Sequence, residues 1–284
     1  MSRSTDRLVA ITGANRGIGF HLAQRLAARD FRILLLCRDR AAGREAVNQL
    51  PGGDRHSVVT VDLSSWESVG AAAEEVTNRG DPLAALVNNA AVLPPDLQRN
   101  AQGIELQLAV NHLGHVLLTR LLMPMLQHGT SSDPPRRVVT VSSGSHYGPP
   151  VDLEDTGWVR RPYKRLQAYQ QSKLANVAFT LALARRLEGT GVEATALQPG
   201  TYDTGLWADY IGLGRLSGLV VPSPERAAPV VARLVDPNEP GAPQGSVNGV
   251  YFKRGQEARP ADAALDPVHQ EALWRWSLTA VGLN

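Results

Sequence analysis

Apolar and polar positions along this chain follow two periods that take turns. Residues 8–11 are a short apolar run closed by a glycine turn, and from about 18 to 28 the apolar residues recur at helical spacing. The pair then repeats: apolar runs at 32–37, 57–61 and 83–87 read as buried strands, with helices at 41–50 and 66–78 between them. A long apolar helix is expected over about 101–127, interrupted by Gly114 and, near its end, by Pro124. A Pro/Ser/Gly-rich loop at 129–135 and a fifth strand at 137–141 follow. Strands alternating with helices imply right-handed crossovers, so the expected fold is a doubly wound α/β domain with a mostly parallel sheet covered on both faces.

The stretch 168–189 is apolar in a different way. Between Leu174 and Ala184 only Asn176 and Thr180 are polar, so this helix needs cover on more than one side. Ahead of it, 151–165 loses its period and reads as an irregular excursion near a site. A sixth strand is expected at 192–197, a substrate flap at about 200–223, a helix at 227–235 and a last short strand at 249–252. The C-terminal extension, about 253–284, carries Trp274 and Trp276 and reads as a packed helix. No internal repeat is visible, and the Pro/Gly-rich 236–246 reads as a loop inside one domain spanning 1–284.

Composition narrows the partners. The 284 residues are 43% hydrophobic and carry a formal charge of +2 with no block of like charge, which points away from nucleic acid and membrane surfaces and toward small neutral ligands. A single cysteine, Cys37, excludes an intrachain disulfide and thiolate metal clusters, so no metal is expected. No apolar run suits a signal peptide or a bilayer span, and the chain is read as soluble and cytoplasmic. Of the 29 basic residues 26 are arginine; only Lys164, Lys173 and Lys253 are lysine, which singles out Lys173 as a place where a compact ammonium is needed.

The chemistry gathers at the strand ends. Thr12-Gly-Ala-Asn-Arg-Gly-Ile-Gly19 follows the first strand and opens a helix, the setting in which a glycine turn lets a pyrophosphate reach backbone N–H groups at a positive helix end. Its Gly-x3-Gly-x-Gly spacing differs from the Gly-x-Gly-x-x-Gly fingerprint. The second strand ends in Cys37-Arg38-Asp39, with Arg16 nearby in the glycine loop. Two guanidiniums and no carboxylate at the strand tip favour NADP(H) over NAD(H), the other reading of Arg38 being a solvated charge. Asp62 and Leu63 end the third strand, and Asn88, Asn89 and Ala90 the fourth. Asp62 is equally readable as a helix cap, and Asn88 as a tie between strands. Asn111 lies inside an apolar helix, where an amide needs a partner or a task; Ser142-Ser143 ends the fifth strand, where serine is often a turn residue. Tyr169 and Lys173 lie one helical turn apart, and a cation beside a phenol favours the phenolate.

Taken together, the glycine turn, Asn88-Asn-Ala90, Asn111, Ser143, Tyr169-x3-Lys173 and Pro199-Gly200 with Thr204 resemble the short-chain dehydrogenase/reductase family over nearly the whole chain. The 37–39 strand end, the excursion before Tyr169 and Gln171-Ser-Lys-Leu-Ala-Asn176 are similar to its retinol-dehydrogenase-like branch. The resemblance implies a Rossmann fold and a tetrad of Tyr169, Lys173, Ser143 and Asn111. Tyr169 would exchange the proton and Ser143 bind the carbonyl oxygen, with Ser142 the fallback. Lys173 would hold the nicotinamide ribose and lower the tyrosine pKa, and Asn111 hold a relay water. It implies cofactor contacts at Gly13, Asn15, Arg16, Gly17, Ile18, Gly19, Arg38, Asp62, Leu63, Asn89 and Ala90, with Pro199, Gly200 and Thr204 flanking the nicotinamide, and a homodimer through the helices at 104–126 and 168–189. Two departures stand out: Ala91 replaces the glycine usual after Asn-Asn-Ala, and Ser143 and Tyr169 are 26 positions apart, wider than the usual gap. The expected function is an NADPH-dependent carbonyl reductase or alcohol dehydrogenase for a bulky lipophilic ketone, aldehyde or alcohol. The alternative is an NADP(H)-binding regulator or scaffold without turnover.

Overall fold

The structure, a computed structural model, describes residues 7–128, 134–202 and 222–283. Its first half runs β1 (Leu8–Thr12), α1 (Gly17–Ala27), β2 (Arg32–Cys37), α2 (Arg40–Asn48), β3 (Ser57–Thr60), α3 (Trp66–Asn78) and β4 (Leu83–Asn88). A short helical turn, α4 (Leu106–Leu108), leads through a π-helical stretch, Ala109–Leu113, into α5 (Gly114–Gln127). Then come β5 (Arg136–Val141), α6 (Arg165–Arg186), β6 (Val192–Gln198), α7 (Ala228–Ala232), β7 (Tyr251–Lys253), β8 (Gln256–Glu257), α8 (Asp262–Leu265) and α9 (Pro267–Ala280).

Among the described residues eight strands form one sheet in the order β3-β2-β1-β4-β5-β6-β7-β8, parallel except for β8 on β7. The chain reverses its direction of travel across the sheet between β1 and β4, and at such a switch point the carboxyl ends of neighbouring strands part to leave a crevice. The strands are buried along almost their whole length because helices cover both faces: α1, α2 and α7 on one, α3, α5, α6 and the C-terminal helices on the other. The doubly wound single domain expected from the periodicity is the observed one.

Several boundaries differ. The helix expected from residue 101 begins at Leu106, because Asn100 Oδ1 accepts from the backbone N–H groups of Gln102 and Ile104 and holds 101–104 in a turn with Gly103 at φ +78°. Gly114 does not interrupt the helix. It lets α5 press against the end of β3, where an added Cβ would stand 2.3 Å from the Leu63 carbonyl oxygen. The helix expected at 227–235 is a 3-10 turn, Pro224–Ala227, followed by the single short α7. The two-residue β8 carried no pattern, and most of the expected flap, 203–221, lies outside the described residues.

From Gln171 to Ala184 every residue of α6 is buried. One side meets the sheet, as the composition required. The other is covered by the same chain: Trp274 of α9 stacks on Phe179 with ring centroids 4.8 Å apart at 11°, and the Arg186 guanidinium lies 4.1 Å from the Trp274 ring centroid. No helix among the described residues is long and apolar enough to cross a membrane.

Candidate active site

A cleft of about 710 Å³ opens at the carboxyl ends of β1, β2, β4 and β5. Gly13, at φ +64°, and Gly17, at φ +59°, adopt the left-handed backbone that only glycine takes without strain. They aim the open N-terminus of α1 into the cleft, where its first N–H groups suit an anion. The floor is drawn tight: an added Cβ on Gly13 would stand 3.1 Å from Ala90, and one on Gly19 would stand 2.6 Å from Asn89 Nδ2. Gly19 therefore serves packing beneath the cleft and does not line it, unlike Gly13, Asn15, Arg16, Gly17 and Ile18.

At one end of the cleft stand Arg16, Arg38, Asp62 and Leu63. Asp39 also lines the cleft, and its Oδ1 accepts from the N–H groups of Ala41 and Ala42 to cap α2. Asp62 is not a helix cap, because Ser65 caps α3; Asp62 Oδ1 accepts instead from the N–H and hydroxyl of Ser64. Asn89 forms a floor tie, donating from Nδ2 to the Thr12 carbonyl at 2.8 Å, while Asn88 reaches Thr119 of α5 and so joins strand to helix.

At the other end, the last residue of β5 and the two that follow it address α6. The Val141 carbonyl accepts from Lys173 Nζ at 3.2 Å, the Ser142 hydroxyl donates to the Lys173 carbonyl at 2.9 Å, and Ser143 hydrogen-bonds the Tyr169 phenol. This separates the two serines, since Ser142 spends its proton on the backbone and only Ser143 faces the phenol. Ser143, Tyr169, Lys173, Ala90, Pro199 and Gly200 all line the cleft. The 25 intervening residues do not displace Ser143. They form the 3-10 turn Gly144–Tyr147 and a loop locked by Asp155, which accepts from the N–H groups of Val159 and Arg160.

Burial pushes the Tyr169 phenol well above its ordinary range, with the Ser143 hydrogen bond acting the other way. Burial likewise holds Lys173 down to about 8. The expected lowering of the tyrosine pKa by the lysine is thus not met: Nζ is directed at the Val141 carbonyl and lies 5.7 Å from the phenol ring centroid. Asn111 is also placed differently from expectation. Its Oδ1 accepts from Val92 N–H at 2.7 Å and its Nδ2 donates to the Val92 carbonyl and to Ser172 Oγ, so the side chain braces the wall behind the cleft without lining it. Thr204 lies outside the described residues.

The periodicity of the sequence passed over the far wall. Val92, Leu93, Pro94, Pro95, Leu106 and Val110 give it an apolar surface beside Tyr169, and Tyr202 closes over Gly200, donating its hydroxyl to the Pro199 carbonyl at 3.1 Å. The Leu93-Pro-Pro95 run, a short way past the end of β4, was the available signal.

A glycine turn at a helix N-terminus and a Ser–Tyr–Lys group across one cleft define a dinucleotide-dependent alcohol/carbonyl oxidoreductase. The profile of the family described as short chain dehydrogenase matches residues 7–211, and the chain belongs to that family, in its retinol-dehydrogenase-like branch. It is 36% identical to human retinol dehydrogenase 13 over 290 residues, 98% of this chain and 85% of that one. With human retinol dehydrogenase 12 it shares 43% over 197 residues, 68% and 61% of the two chains. An uncharacterised protein from Mycobacterium paratuberculosis superposes with a TM-score of 0.75 at 31% identity, over 98% of this chain and 94% of that one.

Proposed function

We propose that the chain is an NADP(H)-dependent carbonyl reductase that interconverts a bulky lipophilic ketone or aldehyde and its alcohol. The observation that carries this reading is a phenol kept protonated by burial, hydrogen-bonded to Ser143 and set against an apolar wall. A group that must give a proton to a carbonyl oxygen has to hold that proton at neutral pH. A nicotinamide held in this cleft would supply hydride for the carbonyl carbon. Ser143 and Tyr169 would bind the carbonyl oxygen from one side, and Tyr169 would give up its proton as negative charge grows there. Lys173, cationic below its lowered pKa, lines the same cleft with Nζ held by the Val141 carbonyl, from where it would bind the ribose of the nucleotide. Asn111 holds Val92 and, through Ser172, the backbone of Tyr169, since Ser172 Oγ donates to the Tyr169 carbonyl at 2.8 Å.

The preference for NADP(H) is supported by Arg16 and Arg38, which line the cleft, and by the capping duty of Asp39 Oδ1 on α2. The apolar wall supports a lipophilic substrate. A homodimer through α5 and α6 requires α9 to move or to join the interface, because Trp274 already lies on Phe179. The test of the reading is Tyr169→Phe, which keeps the ring and removes the proton: turnover of NADPH with a panel of ketones and aldehydes is expected to fall at least about 100-fold. Full turnover by the variant would overturn it.

A further inference from the structure

His115 lies one helical turn beyond Asn111, is 3% exposed and does not line the cleft. Its two ring nitrogens nevertheless touch both halves of the site. Nδ1 is 3.1 Å from the Asn111 main-chain carbonyl oxygen, and Nε2 is 2.9 Å from the Thr12 hydroxyl. Thr12 Oγ1 is itself a junction, accepting from the N–H groups of Asn89 and Ala90, each at 2.9 Å.

The partners of this cluster favour one arrangement of protons. A carbonyl oxygen only accepts, so Nδ1 carries hydrogen. The Thr12 oxygen has both lone pairs engaged by Asn89 and Ala90, so its own proton must be donated. The nearer acceptor is Nε2 at 2.9 Å, with the Val87 carbonyl at 3.3 Å. Nε2 is therefore the bare nitrogen of the ring, and burial, the largest influence on this histidine, favours the same neutral form.

We propose that His115 is a positioning residue, fixed as the neutral Nδ1–H tautomer, that ties the Asn111 main chain to the Thr12 hydroxyl and so holds the nucleotide turn and the acid–base wall in one register. Thr12 opens the glycine turn and, through Asn89 and Ala90, fixes the cleft floor. Asn111 carries Val92 and Ser172 on its amide. A shift of either half changes the distance between the nucleotide site and Tyr169. The inference rests on the oxidoreductase reading for its kinetic part only.

The two bonds separate by substitution. His115→Asn puts an amide donor near the Nδ1 position and abandons Thr12; His115→Gln reaches the Nε2 position and abandons Asn111; His115→Ala loses both. NADPH affinity, read by fluorescence titration, is expected to weaken about two- to tenfold in the Asn and Ala variants and to stay within twofold in the Gln variant. With a turned-over carbonyl at saturating NADPH, kcat is expected to fall in the Gln and Ala variants and to be largely retained in Asn. Losses that follow thermal stability alike in all three variants, or no loss in any, would overturn the proposal. In the unsubstituted protein, ¹⁵N spectra of the histidine rings, with His115 assigned by its absence from the Asn variant, are expected to show an Nδ1–H neutral ring from pH 6 to 8. An Nε2–H or charged ring would equally overturn it. If no carbonyl is turned over, the titration and the spectra still decide.

Discussion

Lys173→Met is expected to make the protein more stable while removing its activity. Lys173 is 2% exposed, its ammonium makes a hydrogen bond to the Val141 carbonyl, and burial lowers its pKa from 10.5 to about 8. At about 1.36 kcal/mol per pH unit, keeping it charged costs the folded state about 3 kcal/mol at pH 7. Methionine fills a similar volume without the charge, and losing the bond to Val141 offsets about 1 kcal/mol. A net gain of about 2 kcal/mol corresponds to roughly 4–8 °C in Tm for a chain of this size. The sign with pH follows from the direction of the shift. Because the folded pKa lies below the unfolded one, the unfolded chain binds more protons between about pH 8 and 10.5, and the stability of the parent rises through that window. The advantage of the variant is therefore full below pH 8 and gone near pH 10.5. Urea or thermal unfolding of both proteins at pH 7, 9 and 10 measures this. A variant no more stable than the parent at pH 7, or an advantage that does not shrink with rising pH, refutes the reasoning.

Arg38→Ala is expected to lower the preference for NADPH over NADH by about 1.5–3 kcal/mol, roughly 10- to 150-fold in the ratio of kcat/KM values, and an unchanged ratio would show that the guanidinium makes no phosphate contact. Buried His112 and His115 have their pKa values lowered from 6.5 to about 4 and about 3. The unfolded chain therefore binds more protons below pH 6.5, and stability should fall with acidification, by roughly 2 kcal/mol per ring at pH 5; urea midpoints from pH 7.5 to 5 read the loss. Gly114→Ala forces a methyl group to within 2.3 Å of the Leu63 carbonyl oxygen, so α5 must retreat at a cost of about 1–3 kcal/mol, measurable by denaturation despite the better helix propensity of alanine.

The strands and helices that frame the cleft were legible because each is long enough to show its period, and α3 spans the expected 66–78. Chemistry at strand ends was legible for the same reason: once a parallel sheet is established, residues just past its strands share one edge. That is why Gly13, Arg38, Asp62, Asn89 and Ser143, far apart in the chain, were grouped correctly around one cleft. Asn111 was noticed as a polar residue in an apolar helix, but its destination was not, since a sequence shows that an amide needs partners and not that Val92 and Ser172 are the ones within reach.

By itself, the sequence determined the alternation of strand and helix, the buried character of the helix carrying Tyr169 and Lys173, and the positions of the glycine turn and the polar strand ends. These follow from local periodicity and backbone freedom, which neighbouring residues set among themselves. Tertiary structure alone decided that Ser143 and not Ser142 meets the phenol, that α9 covers α6, that Gly114 is a point of contact, and that His115 joins Thr12 to Asn111. Each depends on which atoms from distant segments come within about 3 Å of one another. Periodicity reports that a side chain is buried, whereas its partner is fixed only when the helices settle on the sheet.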